Sequence, residues 1–228
     1  MKNKSLFLLP LFLLSIQTIF AQETGSLIDS RDGKTYKTIT IGKQTWSSEN
    51  LDVVTFLNGD TIPEARTVEE WINLGNAGKP AWCNFDNSIS IGENYGKLYN
   101  WYAVADPRGL APKGTHIPGD VEWTKLTDFL VGKVTDKKVK PGKDALEKGS
   151  NIKKSGFDGL PGGYRNEMGI FNDFGFDGGW WSSTESSADD AWGRGLYYLY
   201  GNVFRYDLSA QYCYYNKEFG LSVRFLVD

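Results

Sequence analysis

The chain has 228 residues, enough to close one substantial core and short for two domains. Its 25 basic and 28 acidic residues leave a net charge of -3, and loss of a leader carrying Lys2 and Lys4 would leave 23 basic against 28 acidic. A chain with that balance is not expected to bind nucleic acid, which calls for a net basic domain or a basic stripe.

Lys2 and Lys4 precede an apolar run from Leu6 to Leu14, and uncharged residues follow to Ala21. This is the pattern of a cleaved secretory signal over residues 1–21, followed by one globular domain over 22–228. Pro10, Ser15, Gln17 and Thr18 interrupt the run well short of the roughly 20 apolar residues a membrane helix needs. The expected product is secreted, periplasmic or on the cell surface, with no membrane span after cleavage.

Tyr36 to Trp46 alternates threonine with isoleucine and meets Gly42 and Lys43 before Thr45, which predicts a hairpin whose turn glycine opens. Thr67 and Glu70 have capping-box spacing ahead of Val68, Trp71 and Ile72, so a short helix is expected to start there. A second helix is expected after Pro118. Trp123, Leu126, Phe129 and Leu130 repeat at helical spacing, and Asp120 and Glu122 stand where a helix N-terminus favours negative charge. Trp71 and Trp123 are read as core anchors. Gly132 to Ser155 carries eight lysines with little apolar periodicity and reads as a solvated insert.

Turns rich in glycine lead to Trp180 and Trp181. Leu196–Tyr200 and Val203–Leu208 flank Gly201 and Asn202 as a second hairpin, and Leu221, Val223 and Phe225 alternate as a closing strand. The fold class is therefore α+β, with two short helices, small antiparallel sheets and long irregular loops. Cys83 and Cys213 stand either as one disulfide or as two separate buried thiols.

Few catalytic options survive. His116 is the only histidine, which excludes a zinc site built on several histidines, and its place before a helix suggests a structural tie to backbone. Asp189 with Asp190 and Glu69 with Glu70 are adjacent acids, which does not establish the separation that glycoside hydrolysis requires, and they read as surface charge. Asp173, Asp177, Asp189 and Asp190 lack regular oxygen-ligand spacing for calcium. Gly159, Gly162 and Gly163 lack phosphate-loop context. No catalytic residue, metal ligand or cofactor is assigned.

Several stretches together resemble the Fibrobacter succinogenes major paralogous domain, found in exported proteins of Bacteroidetes and Fibrobacter. They are Thr40 to Trp46 with Glu49-Asn50-Leu51, Tyr95 to Ala103, Pro112 to Pro118 with Glu122-Trp123, Gly156-Phe157 with Leu160 to Arg165, Trp181 to Glu185, and Gly220 to Arg224. The resemblance implies a relative of the C-type-lectin-like and formylglycine-generating-enzyme folds. The reactive cysteine pair of the latter is not matched, since only Cys213 lies in that region, so that activity is not expected. Where the family often has cysteines this chain has Ala111 and Phe225, which implies that such a disulfide is missing here. Gly119 replaces a usual serine and is a weaker N-cap.

Eight aromatic residues lie between Trp192 and Phe219, mixed with asparagine, aspartate and arginine. Tyrosine and asparagine together make adaptable recognition surfaces. The same tail resembles the diversified region of lectin-like receptors from retroelement systems. By that likeness Trp192, Arg194, Arg205, Lys217, Gly220, Ser222, Val223 and Arg224 are fixed, and Tyr198, Tyr200, Asn202, Tyr206, Tyr212, Tyr214 and Tyr215 contact ligand. The competing reading is an aromatic ladder that stabilises a small sheet. The expected function is a non-enzymatic binding module for a surface protein or carbohydrate. The alternatives are a polysaccharide hydrolase and a structural envelope or filament component.

Overall fold

In a computed structural model, which describes residues 23–131, 155–197, 202–206 and 215–228, the chain opens with β1 (Thr24–Ile28), β2 (Thr35–Ile41) and β3 (Gln44–Ser47). The β2–β3 pairing runs from Thr38 opposite Ser47 to Ile41 opposite Gln44. Gly42 takes a φ of 63° in the two-residue turn, a conformation that a Cβ would strain. The predicted hairpin is present.

The first helix, α1 (Val68–Asn76), begins as its sequence requires. Thr67 Oγ1 accepts from the Glu70 amide at 3.1 Å, and Glu70 Oε2 accepts from the Thr67 amide at 3.0 Å. Next come β4 (Trp82–Cys83), a 3-10 turn at Phe85–Asn87, α2 (Ile89–Tyr95), β5 (Leu98–Tyr99) and α3 (Trp101–Val104). Neither α2 nor α3 was expected, because segments this short carry no apolar period. Side-chain capping starts α3: Asn100 Oδ1 accepts from the amides of Ala103 and Ala81.

After β6 (Thr115–His116), α4 (Asp120–Val131) follows Pro118 as predicted. Its Trp123, Leu126 and Leu130 are buried, whereas Phe129 is 57 % exposed, a correction to its expected core role. Phe129 stands on the edge of the apolar stripe and its ring lies against Gly42. The expected weakness of Gly119 as a cap is met from elsewhere. Thr184 Oγ1 accepts the Asp120 amide at 2.9 Å, and Glu122 Oε2 accepts the Gly119 amide at 2.8 Å. The lysine-rich insert, like the leader, lies outside the described residues.

The rest of the chain forms β7 (Tyr164–Arg165), β8 (Phe171–Asn172), β9 (Asp177–Glu185), β10 (Ala191–Tyr197), β11 (Asn202–Tyr206) and β12 (Leu226–Val227). These build a five-stranded sheet ordered β1-β2-β3-β12-β6, a three-stranded sheet ordered β11-β10-β9, and two small ribbons, β4-β5 and β7-β8. The pairings between named strands are antiparallel, and the chain is α+β.

The closing segment departs from the expected alternating strand. Only Leu226–Val227 pairs as a strand, and Ser222 and Arg224 are buried along with Leu221, Val223 and Phe225. It crosses the middle of the molecule rather than covering an edge. Leu221 exchanges hydrogen bonds with Tyr99, Gly220 with Arg165, and the Val223 and Phe225 carbonyls accept from Leu51 and Ser47. Arg224 is locked within it. Its Nε donates to Asn50 Oδ1 at 2.6 Å, and its other nitrogens donate to the carbonyls of Ser47, Phe157 and Asp158.

Asn50 Oδ1 also accepts from Trp180 Nε1 at 2.8 Å. Replacing Asn50 with alanine leaves a buried guanidinium nitrogen and a buried indole N–H without their acceptor. The expected cost is about 3 kcal/mol, measured by urea unfolding; a loss within the surface-mutation range would refute the role given to Asn50.

Candidate functional site

Bulky indoles are interspersed with glycines in the sheet of β9, β10 and β11. The register sets Trp181 opposite Gly193, Trp180 opposite Arg194, Gly179 opposite Gly195 and Asp177 opposite Tyr197. Directly paired residues share a face of an antiparallel sheet, so Trp181, Gly179 and Asp177 lie on one side and Trp180 on the other.

The Trp180 side is closed by α4. Arg194 Nη2 donates to Asp120 Oδ1 at 2.7 Å and to Thr124 Oγ1 at 3.1 Å, and Trp123 Nε1 donates to the Trp181 carbonyl. The Trp181 side receives Tyr215 and Leu221. A Cβ on Gly179 would lie 3.1 Å from Leu221 and 3.4 Å from the Tyr215 hydroxyl, and one on Gly193 would lie 3.2 Å from the Tyr215 ring. The glycines thus make room for a tyrosine laid across the strands.

Tyr215 stands edge-on to both Trp181 and Phe219, and Phe219 stacks on Tyr164. Behind it Lys217 is buried, with its ammonium over the Trp101 ring, bonded to Glu185 and to the Ala188 carbonyl. These contacts fix both ends of the tyrosine-rich segment, because Trp181, Arg194 and Lys217 are each held by several partners.

The far end of the glycine strip is polar. Asp177 is half-buried, and its Oδ1 is shielded from solvent without a hydrogen-bond partner. Burial, with the Asp173 carboxylate adding to it, pushes the Asp177 carboxyl up to about 6. Phe176 beside it is 56 % exposed. The accessible part of this end is the Phe176 ring, because the unpartnered Asp177 Oδ1 is closed to solvent.

Of the residues assigned to ligand contact, Tyr198, Tyr200, Tyr212 and Tyr214 lie outside the described residues. Asn202 and Tyr206 take register positions on β11 opposite Tyr197 and Gly193. Asn202 therefore begins the strand instead of turning the hairpin, and residues 198–201 lie outside the described residues. The ring of Tyr215 packs against the core. In the sequence Asp177 stands only among candidate calcium ligands, and nothing in its local spacing signals the burial that perturbs it.

Among the described residues no group of three or more His, Cys, Asp or Glu side chains is placed to hold a metal ion. Glu70 is engaged in its helix cap and Asp190 Oδ2 accepts from Ser187. Cys83 is a free thiol, and burial pushes it up to about 12; Cys213 lies outside the described residues. Ala111 and Phe225 are both buried in the largest core cluster.

His116 corrects its expected role. It ties to two carboxylates instead of backbone, with Nδ1 2.6 Å from Asp228 Oδ1 and Nε2 3.0 Å from Glu122 Oε1. Burial alone would lower its pKa, but the Asp228 and Glu122 carboxylates outweigh that and hold it above the ordinary value.

This arrangement joins the Asn50 motif, the Pro112–Pro118 turn, Trp181 and the Gly220–Arg224 segment in one framework. The chain matches the profile of the Fibrobacter succinogenes major domain over residues 39–226. It belongs to that family. Neither the curated proteins nor the solved structures yield a match. In this Fibrobacter succinogenes major domain the matched span takes in the three-stranded sheet and the segment that locks it, while β1 precedes it.

Asp177 and His116 both bind a proton more tightly in the folded state, so both contributions fall as pH rises, in different pH windows. The raised carboxyl of Asp177 binds its proton more tightly folded than unfolded, so it lowers stability as pH climbs from about 4 to about 6. Asp177→Asn should raise the thermal midpoint at pH 7 and show no advantage below pH 4. The raised His116 contributes stability that is complete below about pH 6.5 and lost as pH rises through its folded value. His116→Gln should lower the midpoint in acid and converge with the parent in alkali. Thermal melts across pH check both, and parallel profiles would contradict them.

Proposed function

We propose that this chain is an exported, non-enzymatic binding module whose C-terminal face, from β10 through β11 to Tyr215, recognises a surface protein or a glycan. The observation that carries the reading is the clamped frame around that face. Arg194 and Lys217 are buried and multiply bonded on either side of a tyrosine-rich stretch. A rigid frame lowers the ordering cost of a recognition surface built from tyrosine and asparagine.

The lysine-flanked apolar leader supports export. A C-type-lectin-like relationship is supported by the α+β class and by a sheet in which strands from both ends of the domain meet, while a separate three-stranded sheet bears the variable-like stretch. On a glycan, tyrosine faces would cover the apolar side of a pyranose, and Asn202 would take hydroxyls.

Replacing Tyr198, Tyr206 and Tyr214 together with alanine should abolish capture on a glycan array and on intact cell surfaces while the thermal midpoint stays nearly unchanged. A large stability loss would assign them to a core ladder. Hydrolysis of polysaccharide is the second reading, favoured by Asp177, whose proton affinity suits a general acid. It predicts released reducing ends that vanish in Asp177→Asn.

A further inference from the structure

Among the described residues β1 forms one edge of the five-stranded sheet. The Thr40 amide donates to the Glu23 carbonyl and the Asp29 amide to the Lys34 carbonyl, each at 2.8 Å. Hydrogen-bonded pairs alternate in an antiparallel ladder, so Gly25 and Leu27 bond inward to Thr38 and Tyr36. Thr24, Ser26 and Ile28 therefore turn their N–H and C=O groups away from β2. Among the described residues no hydrogen bond reaches them.

Edge strands are usually blunted by lysine, proline, a bulge or shortness. Between Thr24 and Ile28 there is no lysine, proline or bulge, and four of the five residues are exposed. The opposite edge, β6, has only two residues. The feature lies ahead of Ile39, where the family match begins.

We infer that β1 docks a second copy of this chain, the two β1 strands pairing antiparallel about a two-fold axis through Ser26. The register is self-complementary. Ser26 meets Ser26 of the other copy, Thr24 meets Ile28, and the three outward pairs each exchange two hydrogen bonds. On the alternate positions Gly25 faces Leu27, leaving space for the larger side chain. Glu23 falls opposite Asp29, whose charge is already neutralised by Arg31 at 2.6 Å. Ile28, 68 % exposed in one copy, is covered by the other. The product is one continuous sheet with five strands from each copy.

The test uses the mature full chain in sedimentation equilibrium over micromolar to millimolar concentration. The parent is expected to move from one to two chain masses. Ser26→Pro removes an outward N–H that β2 does not use, so it should abolish association at every concentration with little change in thermal midpoint. Ser26→Cys places two sulfurs across the axis, where paired Cα atoms lie about 5.5 Å apart. Mild oxidation should therefore give a dimer whose linked peptide contains residue 26 from both copies, and Glu69→Cys on the exposed face of α1 should not. A parent that stays monomeric throughout, or a Ser26→Cys chain that oxidises no faster than Glu69→Cys, overturns the inference.

Discussion

Everything in this domain leans on Arg224. Its guanidinium is buried, 4.7 Å from the centre of the Phe157 ring, and its donors are spent on the carbonyls of Ser47, Phe157 and Asp158 and on the side chain of Asn50. Among the described residues no carboxylate pairs with it directly. Burial pulls its proton affinity down, and the field of Asp158 and Glu49 partly offsets this. A charge held by neutral dipoles tolerates little displacement, because each lost carbonyl exposes the desolvation cost of the ion. The segment around Arg224 thus determines the spacing of four separate parts of the chain.

The same device recurs at smaller scale. Arg165 donates to the carbonyls of Ala65, Thr67 and Gly169 between the rings of Trp71 and Phe171. Arg194 ties β10 to α4. Buried arginines with fixed forks and aromatic faces organise irregular loops that have few ladder bonds of their own. This explains how a domain with strands as short as two residues keeps tryptophans such as Trp46, Trp180 and Trp181 almost free of solvent. It also gives the candidate binding face a rigid base.

Local chemistry made much of this legible. The Thr67–Glu70 box and the Gly42 turn depend on neighbours within four residues, so their sequences name them. The apolar period of α4 predicted its buried indole, but Phe129 shows the limit. Periodicity marks a stripe without saying how wide the covering surface is. The hairpin of β10 and β11 was visible as two flanking runs, while its register was not, since glycine and asparagine together suggest a turn and Asn202 instead pairs with Tyr197.

By itself the sequence determined the α+β class, the caps and turns, the tryptophan anchors and the family, because each rests on short-range periods or on a run of motifs in order. Only the tertiary structure decided that the closing strand is buried on both sides, that Asn50 serves Arg224 and Trp180, that His116 meets Glu122 and Asp228, and that Asp177 is left short of a partner. Those outcomes depend on which residues distant in the chain come within about 3 Å of one another. Burial and hydrogen-bond geometry belong to that meeting, and no local pattern encodes it.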